Sequence, residues 1–240
     1  MNPVIDTIQN HRSIRSFQEK PLTTEQMDAI IASGIAASSS SLLQTVSIIR
    51  VTDQEKRRVL AELAGNQSYV ASAAEFLVFC IDYQRHASLN PNVQSEYTEL
   101  TLIGAIDAGI MAQNCLLAAE SMGLGGVYIG GLRNAPKEVD ELLGLPQSTA
   151  ILFGMCLGYP AQDPELKPRL SPQVIVHENS YQPLDHALID EYDQRMENYY
   201  QHRSTNTKQQ AWSDQVTTKL SKEQRPFIRD YLNSKGLAKK

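Results

Sequence analysis

Hydrophobic and polar positions along the chain fall into two periods, one of helices and one of strands. Pro3 to Asn10 carries Val4, Ile5 and Ile8 and predicts a short helix ending near His11, so the charges that follow emerge at a helix terminus or in a loop. Thr23 or Thr24 caps a second helix over Glu25 to Gly34, with Met27, Ile30 and Ile31 on one side. Ala36 to Ser41 is small and polar. Val46 to Val51 is a β-branched strand run, and Asp53 starts a helix through Ala64 whose charged face is Glu55, Lys56, Arg57, Arg58 and Glu62. Glu75 to Asp82 predicts a buried strand, and the polar stretch through Asn92 predicts a surface loop.

Val93 to Met122 predicts one long helix. From Gly104 to Ala119 only Asp107, Gln113 and Asn114 interrupt apolar or small positions, so no side of this stretch suits water. Such a helix either runs through the centre of a domain or packs one face on a second copy of itself. Its length of about 45 Å at a rise of 1.5 Å per residue favours a dimer.

Gly125 to Gly131 reads as a glycine-flanked strand, Lys137 to Leu143 as a short helix, Ala150 to Leu157 as a strand, and Val174 to His177 as one more strand after proline-rich sequence. Asp185 to Arg203 and Lys208 to Leu232 are helical in pattern and much more polar than the body. A polar helical tail has little core of its own, and wrapping onto a partner subunit is one way to stabilise it. Helices first, then strands separated by helices, predict a layered arrangement around a central sheet.

With 240 residues, 42% hydrophobic and 20% charged, the chain has material for one packed domain and lies far from disordered composition. A net charge of −5 offers no general field for nucleic acid or an anionic membrane, so any basic site is local. Cys80, Cys115 and Cys156 lie in apolar runs with neither a CxxC pair nor metal-ligand spacing; three buried-looking thiols fit a reducing compartment. No secretory signal opens the chain and no apolar run reaches membrane-spanning length, so the reading is cytoplasmic, with no metal, nucleic-acid or membrane partner.

Candidate chemistry is gathered in five segments. His11, Arg12 and Arg15 place cations around Ser13 in a cluster that suits a phosphate or a solvated surface. Lys167-Pro168-Arg169 repeats that chemistry in a proline-stiffened loop. Ser38 to Ser41 is a run of hydroxyls that can bond a ligand or cap a helix. Gln67 and Tyr69 offer an amide and an aromatic edge in one loop. The glycines around Val127 to Ile129 follow a helix and precede no helical phosphate cradle, which excludes a dinucleotide fingerprint. They permit close approach of a flat group to the backbone, or simply form turns around a core strand. GxSxG, HExxH and CxxC are all absent.

Taken together, His11-Arg12-Ser13-Ile14-Arg15, Ser38 to Ser41, Gly65 to Tyr69, Gly125 to Asn134 and Lys167 to Arg169 resemble the bacterial oxygen-insensitive NADPH nitroreductases and NADPH-flavin oxidoreductases, especially the flavin reductases of luminous Vibrio. The likeness runs end to end, including Tyr231 to Leu237. It implies an α+β nitroreductase-like fold with a central mixed β-sheet flanked by helices. Residues 1–240 would form a single FMN-binding domain whose helical part, about 185–240, extends onto the partner subunit of a homodimer.

By the same resemblance each subunit binds one FMN noncovalently. His11, Lys167 and Arg169 hold the phosphate, and Arg12 belongs to the cofactor site beside them. Ser13, Arg15, Gln67 and Tyr69 line the ribityl and pyrimidine edge, and Ser39, Ser40, Ser41 and Asp107 approach from the other subunit. Tyr128, Ile129, Gly130, Gly131 and Arg133 lie by the ring. No side chain acts as acid or base: hydride arrives at flavin N5, near the Gly130 amide, and Arg15 stabilises the reduced flavin. Arg203 and Lys208 would contact the 2′-phosphate of NADPH, the electron donor, and Glu99 borders the acceptor pocket. The implied reaction is ping-pong two-electron reduction of free flavin, nitroaromatics or quinones, with handover of reduced flavin to a monooxygenase or luciferase. A flavin-binding carrier or sensor without turnover is the alternative.

Overall fold

The structure is a computed structural model that describes residues 2–203, 207 and 210–240. By contacts between residues the chain divides into two compact units, one of residues 1–163 and 225–240 and the other of residues 164–224.

The first unit is built on a four-stranded sheet. Its elements are α1 (Pro3–Gln9), α2 (Thr24–Ile35), β1 (Val46–Arg50), α3 (Gln54–Leu63), α4 (Tyr69–Ser72), β2 (Glu75–Asp82), α5 (Gln84–Leu89), α6 (Thr98–Ser121), β3 (Gly125–Ile129), α7 (Pro136–Leu143) and β4 (Thr149–Gly158). Strand order is β1-β2-β4-β3, and the three pairings are antiparallel. β2 lies in the interior, and seven of its eight residues are buried, which is why it reads as a continuous apolar run. Phe76 and Val78 pack with Leu60, Val70, Leu132, Val139 and Ile151 on one face. Leu77 and Phe79 pack with Met27, Ile30, Ala108, Ala112 and Leu116 on the other. The sheet is thus flanked by helices on both sides.

α2 starts at a capping box, in which Thr23 and Gln26 exchange side-chain and backbone hydrogen bonds. Asp53 caps α3. Arg57 departs from the expected solvated face: it is 2% exposed, because its guanidinium reaches the carbonyls of Val70, Ala73 and Ala74. α5 occupies part of the stretch expected to be a loop, held to the body through Arg85 and His86.

α6 begins at Thr98, not Val93, because residues 95 and 96 are tied to the C-terminal segment: Ser95 Oγ donates to Gly236 O at 3.1 Å, and Lys239 N to Glu96 O at 2.8 Å. Its 24 residues span about 36 Å. The expectation that no segment reaches membrane-spanning length is corrected here, since α6 is long and apolar enough by length and composition. Its buried stripe of Gly104, Ala108, Ala112 and Ala119 packs on the sheet and α2, as in a core helix, while Leu102, Ile106 and Ile110 stand exposed on another face.

The second unit contains α8 (Pro172–Ile175), α9 (His186–His202) and α10 (Trp212–Leu220). The expected strand at Val174 to His177 is absent. Pro172 at the first helical turn starts α8 instead, and Ile175 and Val176, 61% and 65% exposed, pair with no strand among the described residues. The predicted helix over Lys208 to Leu232 is two helices, α10 and α11 (Ile228–Ser234), and α11 belongs to the first unit. The second unit has its own small core of Tyr192, Met196 and Tyr200 with Leu170 and Trp212.

Candidate active site

After α1 the chain runs along the sheet edge. Ile14 N donates to Gly126 O at 3.0 Å, Ala161 N to Ser16 O at 2.9 Å and Gln18 N to Tyr159 O at 2.9 Å. Ile14 is buried against Gly125, where a Cβ would stand 2.5 Å from Ile14 Cγ1, so the first glycine of the β3 segment is required by this contact. With Ile14 turned inward, its neighbour Arg15 is exposed and Ser13 half-buried. The basic cluster and the glycine-flanked strand, far apart in sequence, are therefore neighbours.

The cations of that segment differ in their partners. His11 Nδ1 lies 2.6 Å from Glu120 Oε1, with the Glu120 side chain 10% exposed. Arg12 Nη1 donates to Asp163 Oδ1 at 2.5 Å, and Asp163 is a surface carboxylate, so this pair adds little stability.

β3 ends at Ile129, two residues before the expected boundary, and the chain enters a 3-10 turn over Gly130–Asn134. A Cβ on Gly131 would collide with the Ala64 carbonyl oxygen and the Gln67 side-chain nitrogen, so glycine alone lets this turn close on the 64–67 loop. That loop is itself tight: Gln67 Nε2 donates to Ala64 O at 2.6 Å, and Tyr69 OH donates to Gln67 Oε1 at 2.5 Å. At Gly130 the opposite holds, since a Cβ would meet nothing nearer than Arg133 Nη2 at 3.5 Å. The Gly130 and Gly131 amides head the turn and have no partner within it.

Arg133 points into the protein, donating to Leu152 O. Burial, and next the nearby Arg225 charge, lower its pKa from the ordinary arginine value. Arg225 escaped the sequence reading. Its Nη2 donates to Gly130 O at 3.3 Å and to Asn134 Oδ1 at 2.8 Å, which puts a cation on the glycine turn from the far end of the chain. The available signal was Arg225-Pro226, a proline-stiffened cation like Lys167-Pro168-Arg169. Tyr128 OH donates to Gln113 Oε1 at 3.2 Å and its ring stands edge-on to Phe153; burial pushes its phenol pKa up, so it remains a neutral donor.

The serine run lies against α6. Ser39 Oγ donates to Asp107 Oδ2 at 2.7 Å and Ser40 Oγ to Asp107 Oδ1 at 3.1 Å. Ser41 follows in the 3-10 turn Ser40–Leu42. Among the described residues the side-chain hydrogen bonds of this run go to Asp107 and Gln44 and not to the glycine turn. Glu99 is exposed in the first turn of α6.

In the second unit Lys167 and Arg169 are exposed. Tyr192 OH donates to Pro168 O at 3.0 Å, Arg169 Nη1 to Lys167 O at 3.4 Å, and Lys167 Nζ stands 5.4 Å from the Tyr200 ring. The proline-stiffened loop is thus fastened to α9. Arg203 caps the end of α9, its guanidinium 5.6 Å from the Tyr200 ring. Lys208 lies outside the described residues.

The donor set of the first unit fits a flavin: an open backbone approach at Gly130, two turn amides, the neutral donors Ser13 and Gln67, and the exposed cation Arg15. These features define a class, and comparison with known proteins agrees with it: the chain belongs to the nitroreductase family, whose profiles "Nitroreductase family" and "Nitroreductase family, C-terminal domain" match residues 8–159 and 167–240. It is 67% identical over 240 residues to the NADPH-flavin oxidoreductase of Vibrio harveyi, covering all of both chains. It is 51% identical over 238 residues to the oxygen-insensitive NADPH nitroreductase of Salmonella typhimurium, covering 99% of each. Among solved structures, nitroreductase A from Vibrio parahaemolyticus superposes with a TM-score of 0.97 at 67% identity, covering 100% of each chain. NADPH:FMN oxidoreductase from Vibrio harveyi complexed with NAD+ superposes at 0.95 and 65%, also over the full length of both.

Proposed function

We propose that this chain is an FMN-dependent oxidoreductase that uses NADPH to reduce free flavin, nitroaromatic compounds and quinones. The observation that carries the reading is the glycine turn: Gly131 is locked against the Gln67 loop by steric necessity while Gly130 stays open to a flat ligand. When bound, FMN would supply two-electron hydride chemistry between NADPH and the acceptor, the two using one pocket in turn in a ping-pong cycle.

The chain's own residues bind and polarise. Arg15 is assigned to the N1 and C2-carbonyl edge, where a cation favours the charge that arrives with the electrons. Ser13, Gln67 and Tyr69 line the ribityl and pyrimidine edge, and the Gly130 amide serves the reacting edge. His11, Arg12, Lys167 and Arg169 are assigned to the phosphate, with Glu120 orienting the His11 ring so that Nε2 is the nitrogen left for it. Tyr128, Ile129, Gly131 and Arg133 shape the backbone beside the ring. Arg203 and Lys208 are assigned to the 2′-phosphate, where charge-assisted bonds distinguish NADPH from NADH.

We assign the whole chain to one FMN-binding domain working as a homodimer. The exposed apolar row Leu102, Ile106 and Ile110 on α6, 54%, 56% and 42% exposed, supports a subunit contact there. Extension of the helical C-terminal region onto the partner belongs to the same reading. The buried free thiols suit a cytoplasmic location: burial raises the pKa of Cys80 to about 12 and of Cys115 to about 11, which keeps them protonated and inert. Release of reduced flavin makes a flavin-consuming monooxygenase or luciferase a natural recipient.

Turnover is the test. With NADPH and excess free FMN, a nitrofuran or a quinone, NADPH oxidation is expected to continue for many equivalents per subunit. Oxidation that halts after one equivalent per subunit with all three acceptors would identify a carrier instead.

A further inference from the structure

Three non-glycine residues of the serine loop, Ser41, Leu42 and Gln44, hold left-handed backbone at φ 49°, 56° and 53°. This region crowds any residue that carries a Cβ, and such backbone persists only where its surroundings over-determine it. Here the restraints come from two sides. Asp107, 3% exposed in α6, accepts from the Ser39 hydroxyl at 2.7 Å, from the Ser40 hydroxyl at 3.1 Å, and from the Ser40 amide at 3.1 Å and 3.2 Å with its two oxygens. From α5 and its start, Arg85 Nη1 donates to Gln44 O at 2.7 Å, and His86 Nε2 lies 2.6 Å from Leu43 O. A carbonyl can only accept, so His86 carries its proton on Nε2. Ser39 Oγ then accepts from Gln44 N at 2.7 Å and closes the loop on itself.

This wiring decides what the serines can offer a ligand. Each hydroxyl has one proton, and those of Ser39 and Ser40 are both given to Asp107. Toward a ligand these two side chains present lone pairs only. Lone pairs suit the hydroxyl groups of a sugar-alcohol chain and disfavour an anionic phosphate. Asp107 itself has both oxygens engaged and almost no exposed surface, so it has little left for a cofactor.

We infer that Asp107 is a positioning residue and not a cofactor ligand: it holds the serine loop in its left-handed form and fixes Ser39 and Ser40 as acceptors for the ribityl hydroxyls, a role that stands on the FMN reading of this loop. Glycine adopts left-handed backbone without the Cβ penalty. A strained loop that has lost Asp107 should therefore be partly restored by glycine at a strained position, whereas a lost cofactor contact should not. Gln44 is the position to use, because its side chain is exposed and its two loop hydrogen bonds are made by backbone atoms.

The experiment titrates FMN into the full-length apoprotein of the wild type, D107A, D107N, Q44G and the D107A/Q44G double variant. D107A is expected to raise the FMN dissociation constant by about tenfold or more, as loss of charge-assisted bonds to the loop implies. D107N, which still accepts from the Ser40 amide, should fall between, and Q44G should recover a substantial part of the D107A loss. Wild-type affinity in D107A would overturn the inference. So would a D107A loss that Q44G leaves unchanged, since that marks a direct contact with the cofactor. If D107A does not fold, D107N with and without Q44G makes the same comparison. A wild-type protein that fails to bind FMN overturns the site reading itself, and that result is visible before any variant is compared.

Discussion

Gly131→Ala is expected to weaken FMN binding by roughly tenfold to a hundredfold and to destabilise the fold by about 1 to 3 kcal/mol, the usual range for overpacking a close contact. The added Cβ would meet the Ala64 carbonyl oxygen, which is backbone and cannot rotate aside, together with the Gln67 side-chain nitrogen. Either the turn or the loop must move, and moving the loop breaks the Gln67 to Ala64 bond and displaces Tyr69, which donates to Gln67. Gly130→Ala is the control for folding, because its Cβ meets nothing within 3.5 Å and its thermal midpoint should match wild type. FMN titration and thermal unfolding of both variants check the pair. A Gly131→Ala protein with wild-type stability and affinity would mean that the turn does not close on the loop as described.

Arg57→Met should cost about 3 to 5 kcal/mol of stability, as removal of one member of a buried charged network commonly does. The methionine keeps much of the packing volume but leaves the carbonyls of Val70, Ala73 and Ala74 without their donor in a buried environment. Burial lowers the pKa of this guanidinium, yet an arginine remains charged throughout the accessible pH range. Those carbonyls lie in α4 and the connection to β2, immediately after the Gln67 and Tyr69 loop. The variant is therefore also expected to bind FMN less tightly. Denaturant unfolding of the apoprotein measures the first effect and FMN titration the second. A loss below about 1 kcal/mol would show that water or rearranged backbone replaces the arginine.

The elements that were legible in the sequence share a physical cause. β2 and β4 are largely buried on both faces, with apolar or glycine positions throughout Phe76 to Ile81 and Ala150 to Leu157, and α2 and α3 carry their caps at Thr23 and Asp53. Errors arose where a distant contact decides the local structure. Val174 to Val176 has strand propensity, but among the described residues no strand pairs with it, and Pro172 starts a helical turn instead. The residues before α6 look helical but are held in turns outside the helix by the C-terminal segment, through Ser95 and Glu96. Arg57 looks like one of several surface charges of α3, and only the carbonyls of Val70, Ala73 and Ala74 bring it inside.

The candidate site shows the same division. Sequence spacing reveals residue types suited to a flavin, and it could not reveal which of them are engaged by protein partners. Arg12 pairs with Asp163, Arg133 turns inward to Leu152, and Asp107 stands behind the serines that it holds. Arg225-Pro226 marks a stiffened cation, but only the fold brings that cation to Gly130 and Asn134 from the far end of the chain. Packing, by contrast, explains why two of the glycines were informative: Gly125 accommodates Ile14, and Gly131 accommodates Ala64 and Gln67.

The most direct measurement is an anaerobic absorption spectrum of the purified protein loaded with FMN and titrated with NADPH. The account predicts a yellow protein that holds one FMN per subunit and bleaches fully with about one equivalent of NADPH per flavin, consistent with two-electron transfer. NADH should bleach it more slowly, because Arg203 and Lys208 are assigned to the 2′-phosphate. A protein that remains colourless after addition of FMN, or a yellow one that NADPH does not bleach, would contradict it.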